Sequence, residues 1–288
     1  MTIQEGMIQV PGGKVWYQLH GSENKGTPVI VLHGGPGSSS YSLQGLSVLS
    51  DECPVILYDQ LGCGRSERPK NDSLWQLDRF VEEVHALKEA LGFETIDLLG
   101  HSWGTTLAAA YYLKYPQGVR KIIFSSSCLS APRWAADQKE NIKKLSPEIQ
   151  GVLQKGEETG ETDTAEYKEA TEEFNRHFVC RLDPKPAFLE KGKEYKNPEI
   201  YQLMWGPSEF YVTGNLKEMD FTERLKEIQV PVLYLCGRHD EATPESTAYF
   251  SEQTPNSTFH VFENSAHMAY IEEPEEYEAV VREFLNRN

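Results

Sequence analysis

The stretch Leu98-Leu99-Gly100-His101-Ser102-Trp103-Gly104-Thr105-Thr106 (LLGHSWGTT) decides how this chain is read. An apolar, strand-like run gives way to a helix-like one, and a serine sits at the change between two glycines. Glycine gives up side-chain contacts and loses more backbone entropy on folding than other residues, so a pair of them around a serine signals a squeezed backbone. The pattern is G-x-S-x-G, a tight strand-to-helix turn that forces the serine into a strained conformation and presents its Oγ above a sheet. As a bare pattern it is only moderately specific. The strand DLLG before it and the helix TTLAAAYYL after it supply the context it requires.

Outward from this turn, strands alternate with helices. Two short strand-like pieces flank Pro11-Gly12-Gly13 between Met7 and Gln18, followed by the apolar runs Pro28–Leu32 and Pro54–Tyr58. Leu74 to Leu91 carries apolar residues at helical spacing and stops at Gly92. Strands at 95–99 and 119–124 bracket a helix at 105–114. Continuous apolar strands alternating with amphipathic helices imply a mostly parallel sheet covered on both faces, an α/β architecture. From about Ala131 to Ile228 the alternation breaks into a charged, helix-prone stretch, with a very polar section at 154–168, which we read as a helical insertion. Alternation resumes with the strand 230–237, a helix near 246–253, the strand 257–262 and a helix at 274–286. The expected division is therefore a core of residues 1–130 and 229–288 and an inserted unit of residues 131–228.

Ligand sites in such sheets lie at the carboxyl ends of the strands, where every glycine-rich motif of this chain falls. A serine hydroxyl is a weak nucleophile at neutral pH, so a base must lie within hydrogen-bond reach and an acid must orient that base. The order Ser, then Asp or Glu, then His selects Ser102, Asp240 in CGRHDEATP and His267 in ENSAHMAYIEEP. His239 is expected to point away from the site, and His101 to support the turn. His33-Gly34-Gly35-Pro36-Gly37 matches an oxyanion loop, with the backbone N–H groups of Gly35 and Trp103 as the natural donors. The glycine-rich loop DQLGCGRS (residues 59–66) is expected to be architectural, with Cys63 a small buried residue.

Composition narrows the function classes. With 288 residues, 39% of them apolar, the chain can bury an ordinary core. A net charge of −16 argues against binding nucleic acid or anionic membrane, both of which need a basic surface. Five cysteines without CxxC spacing argue against a disulfide framework and against a zinc site, so reduced thiols are expected. The N-terminus lacks an apolar leader core and no long apolar run is present, so a cytoplasmic protein is the simplest reading, with leaderless secretion as its alternative. A monomer is expected.

Taken in order and with their spacing, HGGPG, DQLGCGRS, GHSWGTTLA, GRHDEATP and SAHMAYIEEP resemble the proline iminopeptidase (prolyl aminopeptidase) group of serine α/β-hydrolases, which includes the tricorn-interacting aminopeptidase. The resemblance extends over most of the chain. It implies an α/β-hydrolase fold with a helical cap inserted after the strand ending near Phe124. The implied activity is release of a single N-terminal residue, often proline, from short peptides or amides with a free N-terminus, with no metal or organic cofactor. It also implies that carboxylates hold the substrate's α-ammonium, and Glu209 and Glu241 match those places. The competing reading is that Glu209 is a solvated turn residue and that Glu241 flanks the helix after Pro244. Trp103, Trp134, Trp205, Phe210 and Tyr211 are candidates for an apolar pocket, with Trp103 and Trp205 foremost because each belongs to a motif, and Trp205 the expected substrate-binding side chain. A carboxylesterase, amino-acid amidase or lactonase with the same triad would keep the fold, and an esterase has no need for an ammonium clamp; a non-catalytic ligand-binding relative would also keep the fold, and the intact Ser, Asp and His argue against it.

Overall fold

The computed structural model describes residues 2–287. Its elements, in chain order, begin with β1 (Ile3–Val10), β2 (Gly13–His20), β3 (Val29–Leu32), β4 (Val55–Tyr58), α1 (Leu77–Ala90) and β5 (Ile96–His101). They continue with α2 (Trp103–Lys114), β6 (Val119–Ser125), α3 (Ala131–Ile142), α4 (Pro147–Thr159), α5 (Ala165–Phe178), α6 (Ala187–Gly192) and α7 (Pro198–Met204). The last are β7 (Val232–Gly237), α8 (Pro244–Glu252), β8 (Ser257–Phe262), α9 (Ala269–Glu272) and α10 (Pro274–Asn286).

The strands form one eight-stranded sheet in the order β1-β2-β4-β3-β5-β6-β7-β8. The first two pairings are antiparallel and all others parallel. Strands buried on both faces need apolar residues at every position, which is why the runs read as unbroken Val, Ile and Leu rather than alternating. Successive side chains then join opposite cores: Ile30, Ile56 and Ile122 pack with α1 and α2, while Val31, Leu57 and Ile123 pack with the 3-10 run Ser40–Asp51 and α10.

Between β6 and β7 the chain is helical. Four of these helices start with a side-chain cap, with Ser130, Ser146, Thr164 and Asn197 accepting backbone N–H bonds, and proline follows in the first turn of three of them. The polar section at 154–168 is not an excursion from this packing. It is the end of α4, a turn closed by Gly160 in the left-handed region (φ 74°), and the start of α5. A small separate apolar cluster of Leu145, Leu153, Tyr167, Phe174, Phe178 and Phe210 holds this part together.

Candidate active site

Ser102 occupies the turn between β5 and α2 at φ 56° and ψ −124°, a conformation L-residues rarely adopt. Two glycines permit it. A Cβ at Gly104 would fall on the Leu32 carbonyl oxygen of β3, and one at Gly100 on the carbonyl of Gly104 in the first turn of α2. The turn is fixed from both sides, since Ser102 N–H donates to Ser125 O (3.0 Å) and Thr105 N–H to Ser102 O (2.8 Å). Gly34 lies directly against the serine, 3.1 Å from its Cβ for a side chain built there.

The loop after β3 brings Gly35 to the same place, at φ +115° and too close to Gly37 N for any side chain. Neither the Gly35 nor the Trp103 N–H has a hydrogen-bond partner among the described residues. For Trp103 this follows from its place as the first residue of α2, where helical N–H groups lack intrahelical acceptors and the helix dipole favours negative charge. A network behind the loop holds it in place. Gln60 N–H donates to His33 Nε2 (3.0 Å), so the ring proton sits on Nδ1 and is donated to Gly34 O (2.9 Å). The Gln60 amide also donates to His33 O and accepts from the Trp103 indole, both at 2.9 Å. Burial keeps His33 neutral by lowering its pKa. DQLGCGRS is therefore architectural, with Cys63 buried, and Gln60 is the member of it that sequence reading did not single out.

Asp240 follows β7 and is fully satisfied. Its Oδ1 accepts from Ala242 N–H (2.7 Å) and from His267 Nδ1 (2.7 Å), and its Oδ2 from Gly237 N–H (3.4 Å). Burial opposes a charged His267, but the Asp240 carboxylate outweighs it and Glu209 adds to it, so this imidazole titrates above the ordinary histidine value. The bond through Nδ1 leaves Nε2 to face the cavity. Ser102 lines that cavity too and makes no hydrogen bond to His267 among the described residues; such catalytic bonds often tighten only around a bound substrate.

The cavity measures about 310 Å³ and gathers Ser102, His267, Gly35, Glu209 and Glu241 on its walls. Glu241 is 1% exposed, its Oε1 lies 3.6 Å from His267 Nε2, and its Oε2 has no hydrogen-bond partner. Burial first, and then the neighbouring Glu209 and Asp240 carboxylates, push its pKa well above the usual carboxylate range. Glu209 is raised as well, by burial, with His267, Tyr201 and Lys196 opposing the shift. Glu209 is positioned through its backbone, whose carbonyl accepts from the Trp134 indole (2.7 Å). The Trp134 ring also stands edge-on to His267, centroids 5.9 Å apart. Two buried carboxyls without a cation are costly to ionise together, and a cation seated between them would relieve both.

Trp205 stands apart from the cavity in this structure. Its ring is 3% exposed, packs edge-on to Trp134 at 5.8 Å, and lies outside the cavity lining because the end of α7 turns it into the larger core. Trp103 is likewise buried, its indole bonded to Gln60, and Phe210 belongs to the small cluster between α4 and α5. His239 is half-buried and remote from the cavity lining. His101, read as a support of the turn, lines the cavity as a neutral ring, 4.8 Å from His267 and edge-on to Tyr270. The wall residues Tyr201, Asn175 and Tyr270 were not foreseen; only Tyr270 lies in a stretch, SAHMAYIEEP, that carried a signal. Among the described residues no His, Cys, Asp or Glu group is arranged to hold a metal ion, and no helix is long and apolar enough to cross a membrane.

The alpha/beta hydrolase fold family matches residues 27–274. A proline iminopeptidase of Heyndrickxia coagulans is 59% identical over 283 residues, covering 98% of both chains. One of Saccharolobus solfataricus is 35% identical over 290 residues, covering 100% of this chain and 94% of the other. The crystal structure of proline iminopeptidase of Mycobacterium smegmatis superimposes with a TM-score of 0.90 at 34% identity, over 98% of this chain and 97% of that one. That of VinJ does so with a TM-score of 0.93, also at 34% identity, over 98% of each. The chain belongs to the α/β-hydrolase fold family and, within it, to the proline iminopeptidase group.

Proposed function

We propose that this protein is a serine exopeptidase that releases the N-terminal residue, proline foremost, from short peptides or amides with a free N-terminus. One observation carries the reading: Glu241, a buried carboxyl with an unpaired oxygen, shares a cavity with Glu209, Ser102 and His267. An esterase has no use for this arrangement, and three esterases that share the fold are 22% identical or less. The names of the closely similar relatives support the same substrate class.

In this reading the substrate ammonium is held by Glu209 and Glu241, which sets the first carbonyl carbon over Ser102. Ser102 Oγ forms a bond to that carbon and its proton passes to His267 Nε2, while Asp240 holds the opposite face of the imidazole. The carbonyl oxygen takes the negative charge and accepts from the Gly35 and Trp103 N–H groups; one such donor contributes about 10²–10³ in rate. Collapse breaks the C–N bond, and His267 gives its proton to the leaving amine. Water then attacks the ester, loses its proton to His267, and returns Ser102 to its starting state with the free amino acid released. An acylated N-terminus has no positive charge, would strand both carboxyls, and is rejected. We further propose that residues 131–228 act as a cap over a core of residues 1–130 and 229–288, and that the protein works as a cytoplasmic monomer.

The test is initial rates of purified protein, with Ser102→Ala as control, on proline, alanine and phenylalanine arylamides, N-acetyl-proline arylamide and a simple nitrophenyl ester. Cleavage of the free-amine substrates with rejection of the acetylated one is expected. Turnover of the ester alone would overturn the ammonium clamp and favour the esterase alternative.

A further inference from the structure

The catalytic cavity opens into a second one, of about 150 Å³, and the two share Ser38, Ser42, Asn175, Val179, Lys196 and Met268 on their walls. The charges along this path are ordered. The catalytic end carries Glu209 and Glu241, and Lys196 is the one lysine or arginine lining that cavity among the described residues. Three lysines line the second cavity, and two of them are already neutralised: Lys185 by Glu172 (3.1 Å) and Lys193 by Glu190 (2.8 Å). Lys196 has no ion-pair partner among the described residues, in a chain whose net charge of −16 makes acidic partners plentiful.

The backbone around Lys196 is also fixed with respect to the reacting atoms. Asn197 N–H donates to Gly37 O (2.7 Å), two residues from Gly35, and its side-chain amide donates to Gly62 O (2.8 Å). On the other side Gly64 N–H donates to Tyr195 O (2.8 Å), and Arg68 reaches the Tyr195 carbonyl (3.0 Å). The lysine thus stands on a segment tied to the loop after β3, with its side chain at the junction of the two cavities.

Resting on the exopeptidase reading above, we infer that Lys196 binds the C-terminal carboxylate of a short peptide whose N-terminus occupies the catalytic cavity. A short peptide is a dipole, positive at its amine and negative at its carboxylate, and the path through the two cavities carries the complementary order of charge. Such a lysine selects short free peptides over longer ones and over C-terminal amides, because only a chain of a few residues reaches both ends at once.

The experiment compares kcat/KM at low ionic strength for Pro-Gly-Gly and its C-terminal amide, alongside proline arylamide, in the protein and its variants at position 196. The free acid is expected to be favoured about three- to tenfold, as a partly exposed charge pair allows. Lys196→Met should bring the ratio to about one, Lys196→Glu should reverse it, and Lys196→Arg should keep it. Added salt should compress the ratio in the unaltered protein. A ratio near one in the unaltered protein, or one that Lys196→Met leaves in place, with arylamide still cleaved, would overturn the role of Lys196 alone. Failure to cleave proline arylamide at all would overturn the exopeptidase reading and this inference with it.

Discussion

The groups behind the cavity and those on its wall are built on opposite principles. At the strand ends, Asp240 accepts three hydrogen bonds, and His33, Gln60 and Trp103 form a chain of bonds that links the loops after β3 and β4 to the first turn of α2. At the far side, Glu241 Oε2 is buried with no hydrogen-bond partner among the described residues. Asp240 and Glu241 are consecutive residues, 2% and 1% exposed, so burial alone does not separate them. Groups that must hold a fixed geometry are satisfied by the protein itself. Groups that await a ligand are left open, at a cost in stability.

The sharpest break of this comparison is Ser102→Ala. If the strand-end groups carry the chemistry, peptidase activity falls by about 10⁴-fold or more while the fold persists. Labelling by a serine-directed fluorophosphonate should disappear with it. Retention of most of the rate would sink the proposed mechanism. On the open side, Glu209→Gln and Glu241→Gln should each lower kcat/KM for proline arylamide by about 10²-fold, the order expected when one member of a buried charge pair is lost. Their turnover of a nitrophenyl ester, which brings no ammonium, should fall much less. An equal loss on both substrates would mean that these carboxyls do not bind the amine.

The elbow itself can be broken sterically. Gly104→Ala puts a methyl group against the Leu32 carbonyl of β3, backbone that cannot rotate away, and should cost about 2–3 kcal/mol of stability. Gly45→Ala meets nothing within 4 Å and should stay within about 0.5 kcal/mol of the starting protein. Chemical denaturation of the pair measures the difference. Similar values would show that the elbow relaxes more easily than its packing indicates.

The same contrast explains what the sequence displayed. Turns that require glycine write themselves locally, so Gly100, Gly104 and Gly35 marked the strand-to-helix turn and the loop after β3, and strand ends followed by Asp240 and His267 marked the bonded carboxylate and imidazole. Apolar runs gave the sheet within a few residues; α2 begins at Trp103 rather than Thr105 because helix starts depend on the fold of the turn before them. The helical segment wrote less. Whether an aromatic residue on a helix faces a cavity or a core depends on what packs over it, and nothing in the spacing distinguished Tyr201, which lines the cavity, from Trp205, which packs behind it. Gln60 was equally hidden, since its side chain bonds to His33 and Trp103, both distant in the chain.

The smallest expected effect separates a ligand-awaiting carboxyl from a structural one. Glu241 has a raised pKa in the folded protein, set by burial and by Glu209 and Asp240 beside it. Between the ordinary carboxylate value and that raised one, the native state therefore holds a proton that the unfolded state has released. Stability must fall as pH rises through this window. Glu241→Gln removes the group, so its Tm should match the unaltered protein near pH 4 and exceed it at pH 8, by about 2–3 °C for each kcal/mol relieved in a chain of this size. An amine ligand should narrow the gap by binding more tightly to the protein that keeps Glu241. Parallel Tm curves from pH 4 to pH 8 would mean that Glu241 is already compensated in the free protein, and the contrast between the groups behind the cavity and those on its wall would lose its energetic basis.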